Sequence, residues 1–516
     1  MPLEANCVIG RNWLNQYFLM EEKQIKQSER SRYRSSFGAT LLFSGVQIYQ
    51  ILIRIIKSKF MAVLIGPVGF GISSLLRSTT DTISVITNLG LNTSSVKTIA
   101  SANREGDKDL LAKHITVQRR LIWLTGIIGM LICAIFAPLW SDLSFGNSAY
   151  VWAFVAVSTI VLFDQLNKGE LALLQGMQQR KKLARANIWG QTLNAIVTIP
   201  LYYIYGVDAI VASLVLGSLI ALIISFSFSR KMDVGRVHLS WKETFVIGHE
   251  MVKLGFFLSL QSIMTMITIW IIRNYINSIG GLEEVGLYSA GTAIIGSYIG
   301  LVFSAISTDY FPRLASVKNN EELNLVVHTQ AELTILLLAP LIVAFLVFIK
   351  PVIVFLYSDK FLPIEYMMYW AVGGVLVQAM AWAISHTLLA KAKPSYFFFN
   401  ELIVTAWGLP VKLLCYNYWG LAGFGMATVI VYSLYLVQVL FLTNKLFGLL
   451  YNSSLWKLFV LLNIPVLCTV FLKYVFDESL GYLCGGSIFI ITSIYSIIKL
   501  NQKLGLRTLL ESRLKK

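Results

Sequence analysis

The sequence predicts an all-α polytopic membrane protein with about 14 transmembrane helices, arranged as two parallel-repeat six-helix lobes and a C-terminal helix pair. Composition is the first reason. Of 516 residues, 56% are hydrophobic and 14% are charged, whereas soluble chains have about 45–50% apolar and about 25% charged residues. Secondly, the apolar residues form runs of about 20, long enough to cross a hydrocarbon core of about 30 Å. Thirdly, Lys and Arg concentrate in alternate loops.

Short polar stretches separate the predicted spans. Their bounds are 37–65, 68–96, 118–140, 149–174, 184–205, 208–229, 250–278, 285–311, 328–357, 365–390, 394–416, 419–444, 455–474 and 480–499. The chain then divides into six parts, which are a cytosolic basic tail (1–35), an N-terminal six-helix lobe (36–230), a cytosolic linker (231–249), a C-terminal six-helix lobe (250–446), an extra two-helix hairpin (455–499) and a second cytosolic basic tail (500–516).

The basic residues indicate the orientation. The polar N-terminal tail, the loops QQRKKLAR and SRKMDVGR, and the C-terminus KLNQKLGLRTLLESRLKK are rich in Lys and Arg. The intervening loops APLWSDLSFGNSAY, YYIYGVD and NSIGGLEEVG have neither. The positive-inside rule then places both termini in the cytosol. It also accounts for much of the net charge of +16 without nucleic acid, which would require a folded basic domain.

The loops leave no room for an extramembrane catalytic domain. The longest connects residues 229 and 250, and no GxxxxGK[ST] phosphate-binding motif is present. The five cysteines and five histidines show no metal-ligand spacing. Secondary transport, a channel function or chemistry within the membrane is therefore favoured over ATP-driven pumping. We expect a transporter and not an enzyme, with no cofactor and no metal.

Two segments share a pattern. IRIIKSKFMAVLIGPVGFGISS (53–74) and IWIIRNYINSIGGLEEVGLYSAG (269–291) each contain a long helix with a cation, a turn and a Val-Gly pair. Aligning the pairs at 68–69 and 285–286 gives an offset of about 217, and LALLQGM (171–177) resembles HTLLAKA (386–392) at about 215. Six spans are an even number, so both copies begin in the cytosol. This predicts parallel repeats with a cavity between them, and chance similarity of apolar helices is the alternative.

The second predicted span carries a polar stripe. Its members recur at steps of three or four on one helical face, at Arg77, Asp81, Ser84, Asn88, Asn92 and Ser95. Unpaired polar groups in hydrocarbon cost several kcal/mol, so the stripe faces water or other helices. We favour the wall of a hydrated lumen. Polar contact between helices, with Arg77 and Asp81 as an i,i+4 ion pair, is the alternative.

Cations within the spans predict an anionic substrate. Arg54 lies in the middle of span 1, and Arg273 has a comparable place in the second lobe. With Arg77 and Lys59 they would make a cationic cavity, and Arg suits phosphate because its planar fork binds bidentately. Lys57 and Lys59 are also close enough to the outer surface to snorkel. The alternative is that Arg54 forms a structural ion pair with Asp81 or Asp164.

Coupling to a proton or sodium gradient would require a carboxylate that titrates or ligates. Asp81 is the first candidate and Asp309 the second, and Asp164 is a third. Asp164 and Lys168 are four residues apart, so a local ion pair is the simplest expectation for them. Asp309 and Arg313 lie at the cytosolic end of span 8, where such residues are usually interfacial anchors.

The turn SKFMAVLIGPVGFG, followed by a polar second helix, resembles the start of the O-antigen and polysaccharide repeat-unit flippases. The segment EEVGLYSAGTAIIGSYIGLVFSAISTDYFPRLASV resembles the start of their second lobe. The resemblance covers about 36–445 and belongs to the polysaccharide branch of the multidrug/oligosaccharidyl-lipid/polysaccharide exporter superfamily. This chain departs from that family in its longer N-terminal tail and in two extra spans after residue 450, a feature shared with the lipid II flippases.

That resemblance implies a flippase in the bacterial cytoplasmic (inner) membrane. It implies that a polyprenyl-diphosphate-linked oligosaccharide moves from the cytosolic to the outer leaflet by alternating access, with Arg54 and Arg273 binding the diphosphate. Membrane lipids and a polysaccharide polymerase are the other expected partners. A lipid II-type flippase and a multidrug or cation antiporter of the same fold remain alternatives. A membrane glycosyltransferase or polymerase would need a large outer loop, and none is visible.

Overall fold

The computed structural model describes residues 3–230, 232, 237–317, 319–391 and 394–504, and within these ranges it contains helices and no strand. The helices are α1 Leu3–Asn88, α2 Leu91–Glu105, α3 Lys108–Ile135, α4 Ala137–Phe145, α5 Val151–Gly176, α6 Arg180–Tyr205, α7 Ala209–Ser229, α8 Trp241–Ser316, α9 Asn320–Val347, α10 Ile349–Leu356, α11 Glu365–Gly373, α12 Val375–Ala390, α13 Pro394–Phe447, α14 Ser453–Val475 and α15 Glu478–Leu504. Short 3₁₀ turns lie at Gly206–Asp208 and Asp359–Ile364. Parts of the predicted linker (231, 233–236) and of the C-terminal tail (505–516) lie outside the described residues. Helices α1–α7 form the N-lobe and α8–α13 the C-lobe.

Several helices begin at residues that cap free backbone N–H groups. Asp107, Asn319 and Asn452 accept backbone hydrogen bonds at the starts of α3, α9 and α14. At the start of α8, Ser240 and Glu243 form a reciprocal capping box. These residues stop each helix from extending backwards into the loop before it, so local sequence alone determines where these four helices begin.

Helix α1 begins at Leu3, so residues 3–35 of the predicted tail are helical in the structure and continuous with the first span. Most of its residues EEKQIKQSER are good helix formers, and no proline lies between 21 and 60. The break comes at Gly66, whose φ of 64° is strained for residues with a Cβ, and Pro67 follows it. The two limbs of α1 are thus 3–65 and 67–88.

The glycine breaks reveal the internal repeat. Gly66 in α1 and Gly281 in α8 have nearly the same backbone angles and lie 215 positions apart (66 to 281). Gly206 and Gly420 form a second pair, 214 positions apart (206 to 420). All four follow an odd-numbered predicted span, and we call this side of the molecule the glycine-turn end. The structure therefore supports two parallel lobes, and it moves the repeat offset from 217 to 215.

Backbone contacts join the lobes at both ends of the second limb of α1. Near the glycine-turn end, a Cβ on Gly71 would lie 2.0 Å from the Leu282 carbonyl oxygen, and one on Gly286 would lie 1.9 Å from that of Pro67. We call this the Gly71–Gly286 seam. At the other end, a Cβ on Gly255 would lie 2.6 Å from the Leu89 carbonyl oxygen. Only glycine permits such close approach of two helices.

The second predicted span, 68–96, is not a single helix. Helix α1 ends at Asn88, and Leu89 and Gly90 both have positive φ. Helix α2 then starts at Leu91. The polar stripe is therefore divided, because Asn92 and Ser95 belong to α2 and not to the membrane limb that carries the other four members.

The C-terminal pair α14 and α15 packs on α9 of the C-lobe. Lys503 of α15 forms an ion pair with Glu332 of α9, and a Cβ on Gly485 would meet the side chain of Val347 at 2.7 Å. Their other faces expose Leu467, Phe471 and Ile491, among others. Exposed apolar faces of this kind are expected in contact with lipid.

Seven helical segments of the described chain are long and apolar enough to cross a membrane, or eight if the bent pair 359–373 and 375–390 counts as one span. Several of these segments join two predicted spans through a break, such as Arg180–Ser229. The all-α, multi-pass fold class is confirmed, and the count of 14 stays a prediction. Helices α1 and α5, which carry most of the predicted site charges, are not among the seven.

The Gly71–Gly286 seam generates a stability prediction. We expect Gly286→Ala to cost about 1–3 kcal/mol, because its Cβ would overlap the Pro67 backbone, which cannot move away as a side chain can. The matched control is Gly373→Ala, a helical glycine with open space around its Cβ position. Thermal unfolding in detergent is the measurement. Equal midpoints for the two variants would contradict the close contact.

Candidate functional site: a cavity in each lobe and one between them

The N-lobe contains a cavity of about 380 Å³ between the first limb of α1 and helices α5, α6 and α7. We call it the N-lobe cavity. Four cationic side chains line it, and they are Arg54, Lys57, Arg77 and Lys168. Asp164 is the single carboxylate on its wall among the described residues. The excess of cations makes this cavity a candidate site for an anion.

Arg77 forms ion pairs with two carboxylates. Its Nη2 lies 2.5 Å from Asp164 Oδ2, and its Nε lies 3.2 Å from Asp81. The bond to Asp164 joins the second limb of α1 to α5. The predicted local pair of Asp164 with Lys168 is therefore wrong, and the alternative in which Arg54 pairs with Asp81 or Asp164 is not seen.

The other three cations of the cavity have no carboxylate partner among the described residues. Lys57 Nζ donates to the Asn194 Oδ1 atom at 2.6 Å, so its end turns into the cavity instead of snorkelling to the surface. Arg54 is exposed, and its Nε makes only a long contact of 3.4 Å to the Gln50 carbonyl oxygen. Lys168 is also exposed. Because none of the three pairs with a carboxylate of the described residues, their charges are available to an anionic ligand.

Arg54 and Lys57 also line a second cavity of about 300 Å³ between the lobes, which we call the interlobe cavity. Its far wall comes from the second limb of α8, at Ala293, Ile294 and Ser297. The same two cations thus face both the interior of the N-lobe and the boundary with the C-lobe. A ligand held by them would therefore contact both lobes.

Arg273 lies outside these cavities, at the contact between the lobes. Its Nη1 donates to the Ser74 carbonyl oxygen at 3.1 Å, and its buried Nε has no hydrogen-bond partner in the part of the chain that the structure describes. With the structural offset of 215, Arg273 corresponds to position 58 (273 minus 215), one turn beyond Arg54. The two arginines therefore do not occupy equivalent positions of the repeat, although Ser58, the counterpart of Arg273, lines the interlobe cavity with Arg54.

Lys59 joins the lobes by a single hydrogen bond. Its Nζ donates to the Val354 carbonyl oxygen of α10 at 2.7 Å. Its side chain lines neither the N-lobe cavity nor the interlobe cavity. Its substrate-binding role stays a prediction.

The remaining stripe residues pack between helices. Ser84, Asn88 and Ser95 are buried, and Asn92 is partly buried. Asn88 Nδ2 contacts Gln165 Oε1 at 3.4 Å, and Gln165 Nε2 donates to the Ser84 carbonyl oxygen at 3.3 Å. This arrangement matches the alternative of polar contact between α1 and α5. The role as a lumen wall stays a prediction.

The coupling candidates occupy different environments. Asp81 and Asp164 are both paired with Arg77. Asp309 has a side chain that is 75% exposed, and it pairs with Arg313 at 2.8 Å, as expected for an anchor at the end of a helix. Among the described residues, no group of three or more His, Cys, Asp or Glu side chains could hold a metal ion.

The C-lobe contains the largest of the three cavities, about 520 Å³, between both limbs of α8, helices α11 and α12, and both limbs of α13. We call it the C-lobe cavity. Glu401 and Lys412 are its charged residues among those described. Sequence reasoning missed both, although the signal was present, since each is an ionisable residue inside the predicted span 394–416.

A sequence model of the polysaccharide biosynthesis protein family matches residues 38–318. The chain belongs to this family. A protein of Shigella flexneri named "Putative O-antigen transporter" is 24% identical over 298 residues, which cover 57% of this chain and 69% of that protein. These findings confirm the predicted membership of the polysaccharide branch of the exporter superfamily, and the chain is a multi-pass membrane transporter.

Two solved structures show the same fold. The lipid II flippase MurJ, in an inward closed conformation, aligns with a TM-score of 0.66 at 13% identity and covers 90% of this chain and 99% of its own. An inward-facing MATE-family multidrug transporter aligns with a TM-score of 0.62 at 15% identity and covers 81% and 99%. At these identities the likeness shows the fold alone.

The ion pairs generate a second stability prediction. We expect Asp164→Asn to cost about 1–3 kcal/mol, below the roughly 3–5 kcal/mol of a fully buried pair, because the Arg77 side chain is 36% exposed. Asp309→Asn breaks an exposed pair and should cost about 0–1 kcal/mol. Thermal unfolding midpoints of both variants test this. A larger loss of stability for Asp309→Asn would contradict a stabilising ion pair between Arg77 of α1 and Asp164 of α5.

Proposed function

We propose that this transporter moves a polyprenyl-diphosphate-linked oligosaccharide, such as an O-antigen or related polysaccharide repeat unit, from the cytosolic to the outer leaflet by alternating access. The family and the Shigella flexneri relative support the class of cargo. The positive-inside distribution of Lys and Arg supports cytosolic termini, with the glycine-turn end outside. No enzymatic step is part of the proposal. A polysaccharide polymerase is a proposed partner of the pathway, and transport itself does not require one.

The observation that carries this proposal is a set of three cations around the N-lobe and interlobe cavities. They are Arg54, Lys57 and Lys168, and none has a carboxylate partner among the residues that the structure describes. Lys57 is partly buried, and removing a charge from water is costly unless a counterion accompanies it. Arg54 and Lys168 are exposed and open to a ligand. A diphosphate supplies at least two negative charges and many acceptor oxygens, and it suits both the Arg fork and the Lys ammonium. The lipid tail would stay in the bilayer beside the lobes.

The two alternatives, a cation antiporter and a lipid II-type flippase, differ in how well they fit the N-lobe cavity. A cation antiporter needs carboxylates that are free to bind its cargo, but the Asp164 carboxylate of the N-lobe cavity is bound to Arg77. A lipid II-type flippase would use the same diphosphate chemistry, so the N-lobe cavity fits it equally well. The polysaccharide family membership favours the oligosaccharide cargo.

Coupling to a proton or sodium gradient belongs to the same proposal. Asp81, Asp164 and Asp309 are each engaged with an arginine. Glu401 instead accepts a hydrogen bond from the neutral Tyr435 hydroxyl at 2.6 Å and lines the C-lobe cavity. We therefore add Glu401 to the three coupling candidates from the sequence.

The transport prediction concerns Arg54→Gln combined with Lys57→Met. We expect flipping of a fluorescent polyprenyl-diphosphate oligosaccharide in liposomes to fall about 100-fold, because two charge-assisted contacts of about 1.5 kcal/mol each are lost. Accessibility of the headgroup to an impermeant quencher is the readout. Lys97→Met with Arg104→Gln is the matched control, since both cations lie on α2 outside these cavities.

Each outcome of this assay has a clear meaning. Unchanged flipping in the cavity variant would remove Arg54 and Lys57 from substrate binding while leaving the flippase intact. No flipping by folded wild-type protein, with several glycans tried, would favour the antiporter. An equal loss in the control pair would show a general charge effect and would contradict a cavity-specific role.

Alternating access predicts opposite effects at the two backbone contacts between the lobes. Gly71→Leu should force the Gly71–Gly286 seam apart, while Gly255→Leu should open the contact with Leu89 at the other end. In a cysteine-free background, we expect Gly71→Leu to increase labelling of Ser74→Cys, buried behind the seam, by an impermeant maleimide added from outside. Gly255→Leu should leave this labelling low. Equal labelling in both variants would contradict the assignment of these two contacts to gates on opposite sides of the membrane.

A further inference from the structure

The C-lobe cavity has the size and lining of a ligand site. Its volume of about 520 Å³ lies within the roughly 300–1,000 Å³ of small-molecule sites, which are mostly apolar with a few placed polar groups. Its wall combines aromatic rings, including those of Tyr288 and Tyr432, with hydroxyls such as those of Thr268 and Thr428. Rings and hydroxyl groups side by side are suited to a sugar, which presents both C–H faces and O–H groups.

Lys412 is the unusual member of this wall. It lies on the first limb of α13, eight residues before the break at Gly420, which places its Cα about 12 Å from that end of the helix. Among the residues that the structure describes, no hydrogen-bond acceptor or carboxylate contacts its ammonium group. A cation at such a site is costly and usually marks a functional group.

The fold itself does not require this lysine. With the offset of 214 between Gly206 and Gly420, its counterpart in the N-lobe is position 198 (412 minus 214), occupied by Thr198. The Thr198 hydroxyl is buried and donates to the Asn194 carbonyl oxygen of its own helix. The cation therefore belongs to the chemistry of the C-lobe cavity and not to the packing that both lobes share.

Glu401 makes the two ends of the C-lobe cavity opposite in charge. It precedes Lys412 by eleven residues, or three helical turns, so the two charges lie on one face of the helix about 16 Å apart and cannot pair. Tyr435 and Asn400 surround the Glu401 end with hydrogen-bonding groups. An acidic ligand would be repelled at that end and attracted at the Lys412 end.

The C-lobe cavity also lies near the proposed diphosphate site. Ile272 is on its wall, and the adjacent Arg273 donates to the Ser74 carbonyl oxygen of α1. Arg77, three residues after Ser74, lines the N-lobe cavity. The walls of the two cavities are thus linked through this contact between the lobes.

We propose that the C-lobe cavity binds the glycan of the cargo and that Lys412 binds the carboxylate of an acidic sugar, so the preferred cargo is a uronate-containing oligosaccharide. This inference rests on the proposed flippase function and names its substrate class. The N-lobe cations hold the diphosphate common to all such cargo. Lys412 distinguishes acidic glycans from neutral ones.

The test compares two cargo molecules in liposomes, each a polyprenyl diphosphate carrying the same trisaccharide, with terminal glucuronic acid in one and terminal glucose in the other. We expect the wild type to flip the acidic cargo about tenfold faster at limiting concentration, because one charge-assisted contact is added. Lys412→Met should remove this preference by slowing the acidic cargo alone. Lys412→Arg should keep it, and Lys57→Met should slow both cargoes equally.

The outcomes separate this inference from the proposed function. Equal flipping of both cargoes by the wild type would overturn the acidic-sugar assignment and leave the flippase standing. Equal slowing of both cargoes by Lys412→Met, with unchanged thermal unfolding, would assign Lys412 to the diphosphate and would also overturn it. No flipping of either cargo by the folded wild type would overturn the proposed function and this inference with it.

Discussion

The ion pair between Arg77 and Asp164 organises the N-lobe. It crosses from the second limb of α1 to α5, and Asp81 completes the neutralisation from one turn away. Because this arginine engages both Asp164 and Asp81, Arg54, Lys57 and Lys168 have no carboxylate partner among the described residues. The cavity is positive because Arg77 pairs with these two carboxylates, which are then not available to the other cations of the wall. A buried pair of this kind adds little net stability, but losing one partner leaves an unpaired charge.

The two lobes share a backbone and differ in their chemistry. Gly66, Gly206, Gly281 and Gly420 place the helix breaks of both lobes in register. The side chains on this frame do not follow the repeat. Among the described residues, the N-lobe cavity has several cations, whereas the C-lobe cavity has one cation, Lys412, and one carboxylate, Glu401. A symmetric frame with unequal cavities suits a cargo with two chemically different parts, a charged link and a glycan. The glycine contacts let the backbones of the two lobes approach closely at both ends of the second limb of α1.

Sequence reasoning identified part of the site. Arg54 and Arg77 do line the N-lobe cavity, because a polar residue in a span must face something other than lipid. The partners were harder to choose. Asp164 lies four residues from Lys168 but 87 residues from Arg77, and the distant arginine is its partner. Lys57 turns to Asn194 and not to the surface. Each of these choices depends on which helices are neighbours, and a periodic pattern does not contain that information.

The sequence by itself determined the class of protein, the two-lobe repeat and the family, because apolar run length, charge in alternate loops and turn motifs are local properties of the chain. Only the tertiary structure decided the helix break at Leu89 and Gly90, the offset of 215, the place of Arg273 between packed helices and the importance of Lys412. The physical reason is that a charge in a membrane helix can be paired, packed or presented to a cavity. Residues that are distant in sequence decide among these environments, and they become neighbours only when the helices assemble.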